Sequence, residues 1–372
     1  MFAQGVVPGG FFTPFEQLFQ RADIFGMTES AEQHPATLPR STEIEPILTT
    51  VSKVGLVLGG GGITGAAYEL AALMAIHMAT SWDPNSSEVI IGTSAGSFVA
   101  GTVRSGRLSI DSLARPDESR EDVADRIRSA VYQRRRPGGV RRWLRHGLVP
   151  GLRNPGVSLV LGSPAPFDAG GIGDWLADEI GDFAQGWPDD PTVIVAYELE
   201  TKRRVAFGTL DAPDIELRDA VAASSAVPLV FAPFEMNGNH YVDGGVVSGT
   251  HADLLLANEE PLDFVLVIAP MAADEIRDGA RFYEGVFDRV GKAALEEELE
   301  MIHAAWPDTE VLTITPSIDV QALLRPNPMS ASAAVPAFIK TLASLRTKLA
   351  RPDVWDLLNR HLKPTSHPVI GR

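Results

Sequence analysis

The chain has 372 residues, with 32 Lys and Arg against 48 Asp and Glu for a formal net charge of −16, and it has no cysteine. That length allows one large domain or two modest ones around a real core, and 45% hydrophobic with 22% charged residues excludes a disordered chain. The acidic balance argues against nucleic acid over the whole surface and against simple attraction to an anionic membrane; the absent cysteines exclude disulfides, thiolate metal sites and a cysteine nucleophile.

Residues 1–50 read as an arm, broken by Pro8, Pro14, Pro35, Pro39 and Pro46, with six phenylalanines in its first 25 positions. Those rings are expected to pack back onto the body, the alternative being a docking segment for a partner or a membrane. The first basic residue is Arg21, and Pro8, Gly9 and Gly10 interrupt any apolar run, so no secretion signal is expected. No stretch approaches the roughly 18 uninterrupted apolar residues of a membrane span. The chain reads as soluble and cytoplasmic.

From Lys53 the pattern changes. Val54-Gly55-Leu56-Val57-Leu58 is a short apolar run of the kind found in buried parallel strands. Four glycines follow, then an apolar helical stretch from about Ala66 to Ala79. Glu88-Val89-Ile90-Ile91 is a second such strand, followed by a small-residue turn and a helix from Ala95 to about Val103. Strand, loop and helix in repetition predict an α/β sheet with crossover helices. Further strands are expected at Thr192–Tyr197, Arg204–Phe207, Asn239–Val242, Phe264–Ala269 and Val311–Thr315. Further helices are expected at 118–134, 171–183, 216–225, 283–305 and 335–349. Trp306, Pro307 and Met329 read as core or pocket wall, and Glu296, Glu297, Glu298 and Glu300 as a solvated helix face. The resulting division is an arm over 1–50, a catalytic domain over 51–320 and a C-terminal helical segment over 321–372.

Gly92-Thr93-Ser94-Ala95-Gly96 reads G-x-S-x-G between an apolar strand and a small-residue helix, the setting of a nucleophile elbow. A serine on such a turn projects its hydroxyl clear of the backbone, and the helix N-terminus offers N–H groups to a developing oxyanion. The motif by itself also describes a structural turn. Gly59-Gly60-Gly61-Gly62-Ile63-Thr64-Gly65 contains G-x-G-x-x-G as Gly60, Gly62 and Gly65, which raises a dinucleotide site. That site needs an acid at the end of the second strand, where this chain has the elbow instead; Asp83 lies in the preceding loop. The competing role is an oxyanion hole built from backbone N–H groups. Tyr241-Val242-Asp243-Gly244-Gly245 places a carboxylate at a strand end on a tight turn. Such a group acts as a base when partial burial brings its pKa toward the working pH.

With these motifs in order, the sequence resembles the patatin-like phospholipase family. The resemblance rests on Leu58-Gly59-Gly60-Gly61-Gly62-Ile63-Thr64-Gly65, on Gly92-Thr93-Ser94-Ala95-Gly96-Ser97, on Ala223-Ser224-Ser225-Ala226-Val227-Pro228 with Phe231 and Pro233 following, and on Asp243-Gly244-Gly245. It spans roughly half the chain. It implies a three-layer α/β/α fold with a mainly parallel central sheet, and hydrolysis of lipid acyl esters by a Ser–Asp dyad without histidine, metal or cofactor. By that resemblance Ser94 is the nucleophile and Asp243 the general base. The amides of Gly60, Gly61, Gly62 and Ile63 bind the oxyanion, with Gly65, Gly92, Gly96, Gly244 and Gly245 supporting the motifs. An acyltransferase or non-lipid esterase with the same dyad, or an inactive lipid-binding regulator, are the alternatives. Two positions depart from the family pattern. Thr64 stands where a basic residue is frequent, and Ser248-Gly249-Thr250-His251 replaces an Asn-x-Pro; His251 is expected to fill the Asn role structurally, a catalytic triad being the other reading.

Between Asp125 and Asp168 there is no acidic residue, and positions 126–167 hold nine arginines, concentrated in Arg134–Arg145. A Gly- and Pro-rich apolar stretch, 148–167, follows. One reading pairs these arginines with the acid-rich remainder. The other makes the insert a peripheral contact with anionic head groups, Trp143 and Leu144 entering the interface.

Overall fold

A computed structural model describes residues 51–364 except 111–112, 116, 135–138, 150–151, 153–160 and 274–281, and gives only the backbone for 282–290. The arm, part of the arginine run and half of the apolar stretch 148–167 lie outside the described residues.

The core is a sheet in the order β10-β9-β1-β2-β5-β8-β7, with β6 also paired to β5. The strands are β1 (Val54–Leu58), β2 (Val89–Thr93), β5 (Thr192–Glu198), β6 (Arg203–Phe207), β7 (Phe234–Met236), β8 (Asn239–Asp243), β9 (Phe264–Ile268) and β10 (Glu310–Ile314). β10, β9, β1, β2 and β5 run parallel; β6, β7 and β8 add antiparallel pairs. A two-stranded ribbon, β3 (Gln133–Arg134) with β4 (Phe167–Asp168), closes the ends of the insert.

Successive side chains of a strand point to opposite faces, and here both faces are covered, so the central strands are unbroken apolar runs. One face presents Val57, Val89, Ile91, Val193, Val195, Val265 and Val267 to a turn at Ala252–Ala257 and to the long helix Phe282–Ala305. Trp306 packs against the same cluster. The opposite face buries Leu56, Leu58, Ile90, Ile194, Leu266 and Ile268 completely. It is covered by helices that include α1 (Gly62–Thr80), α2 (Ala95–Arg104) and α6 (Leu217–Ser224). The chain thus has the expected three-layer α/β/α architecture.

α1 is long and apolar enough by composition to cross a membrane, yet 72% of its most apolar window is buried inside the protein. A helix apolar all round belongs in a core, and α1 packs between α2 and α9 (Ala334–Leu349). It begins at Gly62, four residues before the expected Ala66, because tertiary contacts rather than helix propensity hold the glycine turn. α3 (Arg120–Val131), α4 (Val140–Trp143), α5 (Gly170–Ile180), α7 (Phe282–Ala305), α8 (Ile318–Leu324) and α10 (Pro352–His361) complete the helices among the described residues. α10 docks through His361, whose ring stacks on Phe264 at 4.9 Å and meets Glu310 at 2.6 Å.

Candidate active site

Ser94 sits between β2 and α2 with φ 54° and ψ −118°, a left-handed conformation that costs an L-residue on the order of 1–3 kcal/mol. The surroundings over-determine it. α2 lies so close to β1 that a Cβ on Gly96 would sit 2.1 Å from the Leu58 carbonyl oxygen. The Ser94 N–H donates to Ser224 Oγ at 2.9 Å, and the Ser224 hydroxyl donates to the Val195 carbonyl at 2.6 Å. Ser97 and Ser225 both donate to the Ser94 carbonyl, at 2.5 and 3.4 Å. Ser224 belongs to a block legible in the sequence, but nothing local assigned it this clamp.

Sheet register brings the carboxylate to the serine. β6 occupies one edge of β5 along Ile194–Glu198, so β2, paired along Thr192–Val195, and β8, paired along Ala196–Glu198, share the other edge end to end. Thr93 stands opposite Val195 and Asp243 opposite the next residue, Ala196. The two strands run in opposite directions, so their C-termini meet. Ser94 and Asp243, 149 positions apart by their numbers, are each 5% exposed, and the Ser94 hydroxyl is close enough to favour the ionised Asp243 carboxylate. Asp243 Oδ1 also accepts the Gly245 N–H at 2.7 Å, and the Asp243 N–H donates to the Ala226 carbonyl. Burial pushes the carboxyl up from 3.8 to about 6, against the lowering by Ser94 and the Gly245 N–H. It is therefore ionised near neutral pH and basic enough to take a proton.

His251 is not a third triad member. It is fully buried in a left-handed turn, and its Nε2 meets the Gly244 carbonyl at 3.1 Å. A carbonyl only accepts, so Nε2 carries the proton and the ring braces the turn after Asp243. Burial lowers its pKa to about 4, keeping it neutral. The turn is anchored by Glu298 on α7, whose carboxylate accepts the hydroxyls of Ser248 and Thr250 and the N–H groups of His251 and Ala252. This corrects the expectation for the acidic run. Glu296, Glu297 and Glu300 are exposed, while Glu298 is 7% exposed because α7 turns it onto this loop. His251, Asp253 and Glu298 have the donor types of a cation site. Their oxygens are spent on four donors and on a bidentate pair between Asp253 and Arg204, whose guanidinium lies 3.5 Å from His251 Nδ1. A cation does not fit that arrangement.

His251→Ala is expected to lower kcat about 10- to 100-fold with KM little changed, because a shift of about 1 Å in a reacting group costs that order. His251→Asn, which tolerates the left-handed backbone and can still donate to Gly244, should restore most of it. Steady-state kinetics on the two variants decide this; equal loss in both would remove the bracing role.

The glycine loop faces the same spot, since a Cβ on Gly60 would lie 3.3 Å from Ser94 Cβ. The Gly60 N–H, however, donates to the Gly249 carbonyl at 2.7 Å, so it is spent and drops out of the expected oxyanion donors. Among the described residues, the N–H groups of Gly61, Gly62 and Ile63 at the start of α1 donate to no protein acceptor, as helix-terminal amides do unless capped. Gly62 has φ +62°, and a Cβ there would meet the Pro328 carbonyl oxygen at 2.7 Å. Thr64 ties the loop to that carbonyl through both its N–H (3.0 Å) and its hydroxyl (3.3 Å), so a neutral residue does the loop-holding here. Pro270 packs under Gly61 and Gly65 and is braced by the buried Arg325, which donates to its carbonyl at 2.6 Å. Asp83 accepts the Asn85 N–H in a short turn and plays no part in the loop.

Beside Ser94 lies a cavity of about 50 Å³ with an almost wholly apolar lining. Phe98 and Trp175, ring centroids 4.7 Å apart, form one wall; Ile172, Val131, Val227 and Met329 form others. Met329 thus matches its expected wall role, whereas the Phe98–Trp175 pair, from two separate helices, had no local signal.

The sequence profile described as Patatin-like phospholipase matches residues 56–256, more than half the chain. A protein named "Probable lipid hydrolase 463L" from Invertebrate iridescent virus 6 is 23% identical over 84 residues, which are 21% of this chain and 29% of that relative. The chain therefore spans under a third of the relative's length. The solved structure of VipD from Legionella pneumophila is similar at a TM-score of 0.32 and 12% identity, over 79% of this chain and 67% of that one.

Proposed function

The chain belongs to the patatin-like phospholipase family, and from that premise we propose that it is a serine hydrolase of lipid acyl esters. The observation that carries this reading is a serine on a left-handed elbow set by sheet register beside a buried, weakly acidic carboxyl. Asp243 takes the Ser94 proton as Oγ attacks the ester carbonyl carbon, and the N–H groups of Gly61, Gly62 and Ile63 receive the negative oxygen. The tetrahedral adduct collapses, and the leaving alcohol recovers the proton from Asp243. A water then attacks the acyl-serine, giving its proton to Asp243, and the freed Ser94 is reprotonated as the carboxylic acid departs. The apolar slot beside Ser94 suits an acyl chain, and it offers no charged side chain to a polar acyl group.

A fluorophosphonate probe is expected to label the protein once, at Ser94, with parallel loss of turnover on a panel of short-chain, long-chain and phospholipid esters. No label and no hydrolysis of any ester would overturn the reading. The slot is small against the roughly 300–1,000 Å³ of drug-sized pockets, so short acyl chains should be turned over best. Trp175→Ala removes one wall and should raise the ratio of kcat/KM for long over short acyl esters at least about tenfold, since each methylene accommodated carries that order. An unchanged ratio would move the acyl chain elsewhere.

A further inference from the structure

The basic insert is left without work by the chemistry above. Arg126 pairs with Glu118 and Glu179, and Arg128 with Asp125, so the expected internal pairing holds for the two arginines that the insert contributes to α3. It fails further on: among the described residues, exposed Arg134, Arg141 and Arg145 have no carboxylate partner.

α4 continues into a wider turn at Leu144–Leu148. Its exposed positions are Val140, Arg141, Leu144, Arg145 and Val149, a spacing that keeps them on one side, and Leu152 is exposed as well. Val140 is 55%, Leu144 40%, Val149 49% and Leu152 72% exposed. Four of the thirteen large apolar side chains exposed among the described residues therefore crowd into 140–152, interleaved with unpaired cations. A solvated helix keeps such side chains inward, and an interfacial one shows this mixture. The segment is also tied to the acyl slot. It follows Val131, a slot wall, and the Tyr132 hydroxyl donates to the Met329 carbonyl at 2.5 Å. At its far end Ser163 Oγ accepts the N–H of Leu229, two residues past the slot residue Val227. Leu229 is itself 61% exposed in a left-handed conformation, an apolar side chain held outward.

We propose that the exposed side chains of Val140, Arg141, Leu144, Arg145, Val149 and Leu152, with Leu229, form an interfacial docking surface for an anionic bilayer. Val140, Leu144, Val149 and Leu152 enter the boundary between head groups and acyl chains while Arg141 and Arg145 meet lipid phosphates. The occupant follows from charge: this patch carries unpaired cations and no acid, on a chain whose other regions hold all 48 acidic residues. Outside 126–167 acidic residues outnumber basic ones about two to one, so an anionic surface favours orientations that present the insert. That orientation brings the slot beside Ser94 toward the lipid, a consequence that rests on the hydrolase reading; the binding itself does not.

The test is vesicle flotation of the full chain carrying Ser94→Ala. Binding to phosphatidylcholine vesicles containing phosphatidylglycerol is expected, weakened by salt, with little binding to phosphatidylcholine alone. Arg141→Gln with Arg145→Gln should weaken it about 30-fold, and Leu144→Ser with Leu152→Ser should weaken it as well. In the Ser94 protein these changes should leave turnover of a water-soluble short ester unchanged, which shows that they fold. Equal binding to both vesicles, binding to neither, or variants that float like the parent would overturn the surface. Concentration-dependent dimerisation abolished by Leu144→Ser would assign the face to a second copy and overturn it too. Flotation without ester turnover in the Ser94 protein would sink the hydrolase reading alone.

Discussion

Ser94→Ala is expected to lower ester turnover by about 10⁴-fold or more, since covalent catalysis has no other nucleophile and only binding and oxyanion contacts remain. The backbone at this position makes a second outcome informative. Ser94 holds φ 54° and ψ −118°, and alanine inherits that strain while glycine does not. Ser94→Gly should therefore be as inactive as Ser94→Ala yet unfold at a higher temperature. Kinetics with thermal unfolding of both variants check the pair. Residual turnover within tenfold of wild type would remove Ser94 as the nucleophile, and equal thermal midpoints would remove the stored strain.

Asp243→Asn is expected to lower kcat/KM about 10³- to 10⁴-fold, the span ascribed to a positioned general base. On the proposed mechanism the ionised carboxylate is the active form of the wild type. Because burial raises its pKa to about 6, kcat/KM should be flat above that pH and fall tenfold per unit below it. The stability consequence has the opposite sense. A carboxyl raised from 3.8 to about 6 on folding is most favourable below 3.8, and its contribution is lost as pH rises through about 6. Asparagine stays neutral and escapes that loss, which amounts to roughly 2–3 kcal/mol at most. The variant should therefore unfold several degrees above wild type at pH 8 and level with it at pH 4. A variant destabilised equally at both pH values would show that Asp243 carries no burial penalty.

The elbow, the glycine loop and the D-G-G turn are local backbone events, each requiring residues without a side chain at fixed offsets, so their order along the chain is visible without coordinates. Glu298 shows the limit of such reading. Its neighbours Glu296, Glu297 and Glu300 are solvated, and periodicity in an acidic helix cannot mark the one carboxylate that a loop some 50 positions earlier will claim. Gly60 shows it in the other sense: a glycine in the right motif has its N–H committed to Gly249, a residue brought across the cleft by β9 and the loop before it.

Local composition carries the α/β class, the apolar strands, the motifs that hold the serine and the aspartate proposed as nucleophile and base, and an insert of one charge sign. Strand burial and glycine requirements are written in local composition, and charge is additive. The packing of distant segments sets β2 and β8 on one edge of β5, so that Ser94 and Asp243 lie side by side. It also decides which amides stay free, that His251 braces instead of relaying protons, and that Val140, Leu144, Val149 and Leu152 face outward. Each of these depends on which distant segment satisfies a given donor, acceptor or apolar face, and a one-residue change of register would leave the composition intact while separating the pair.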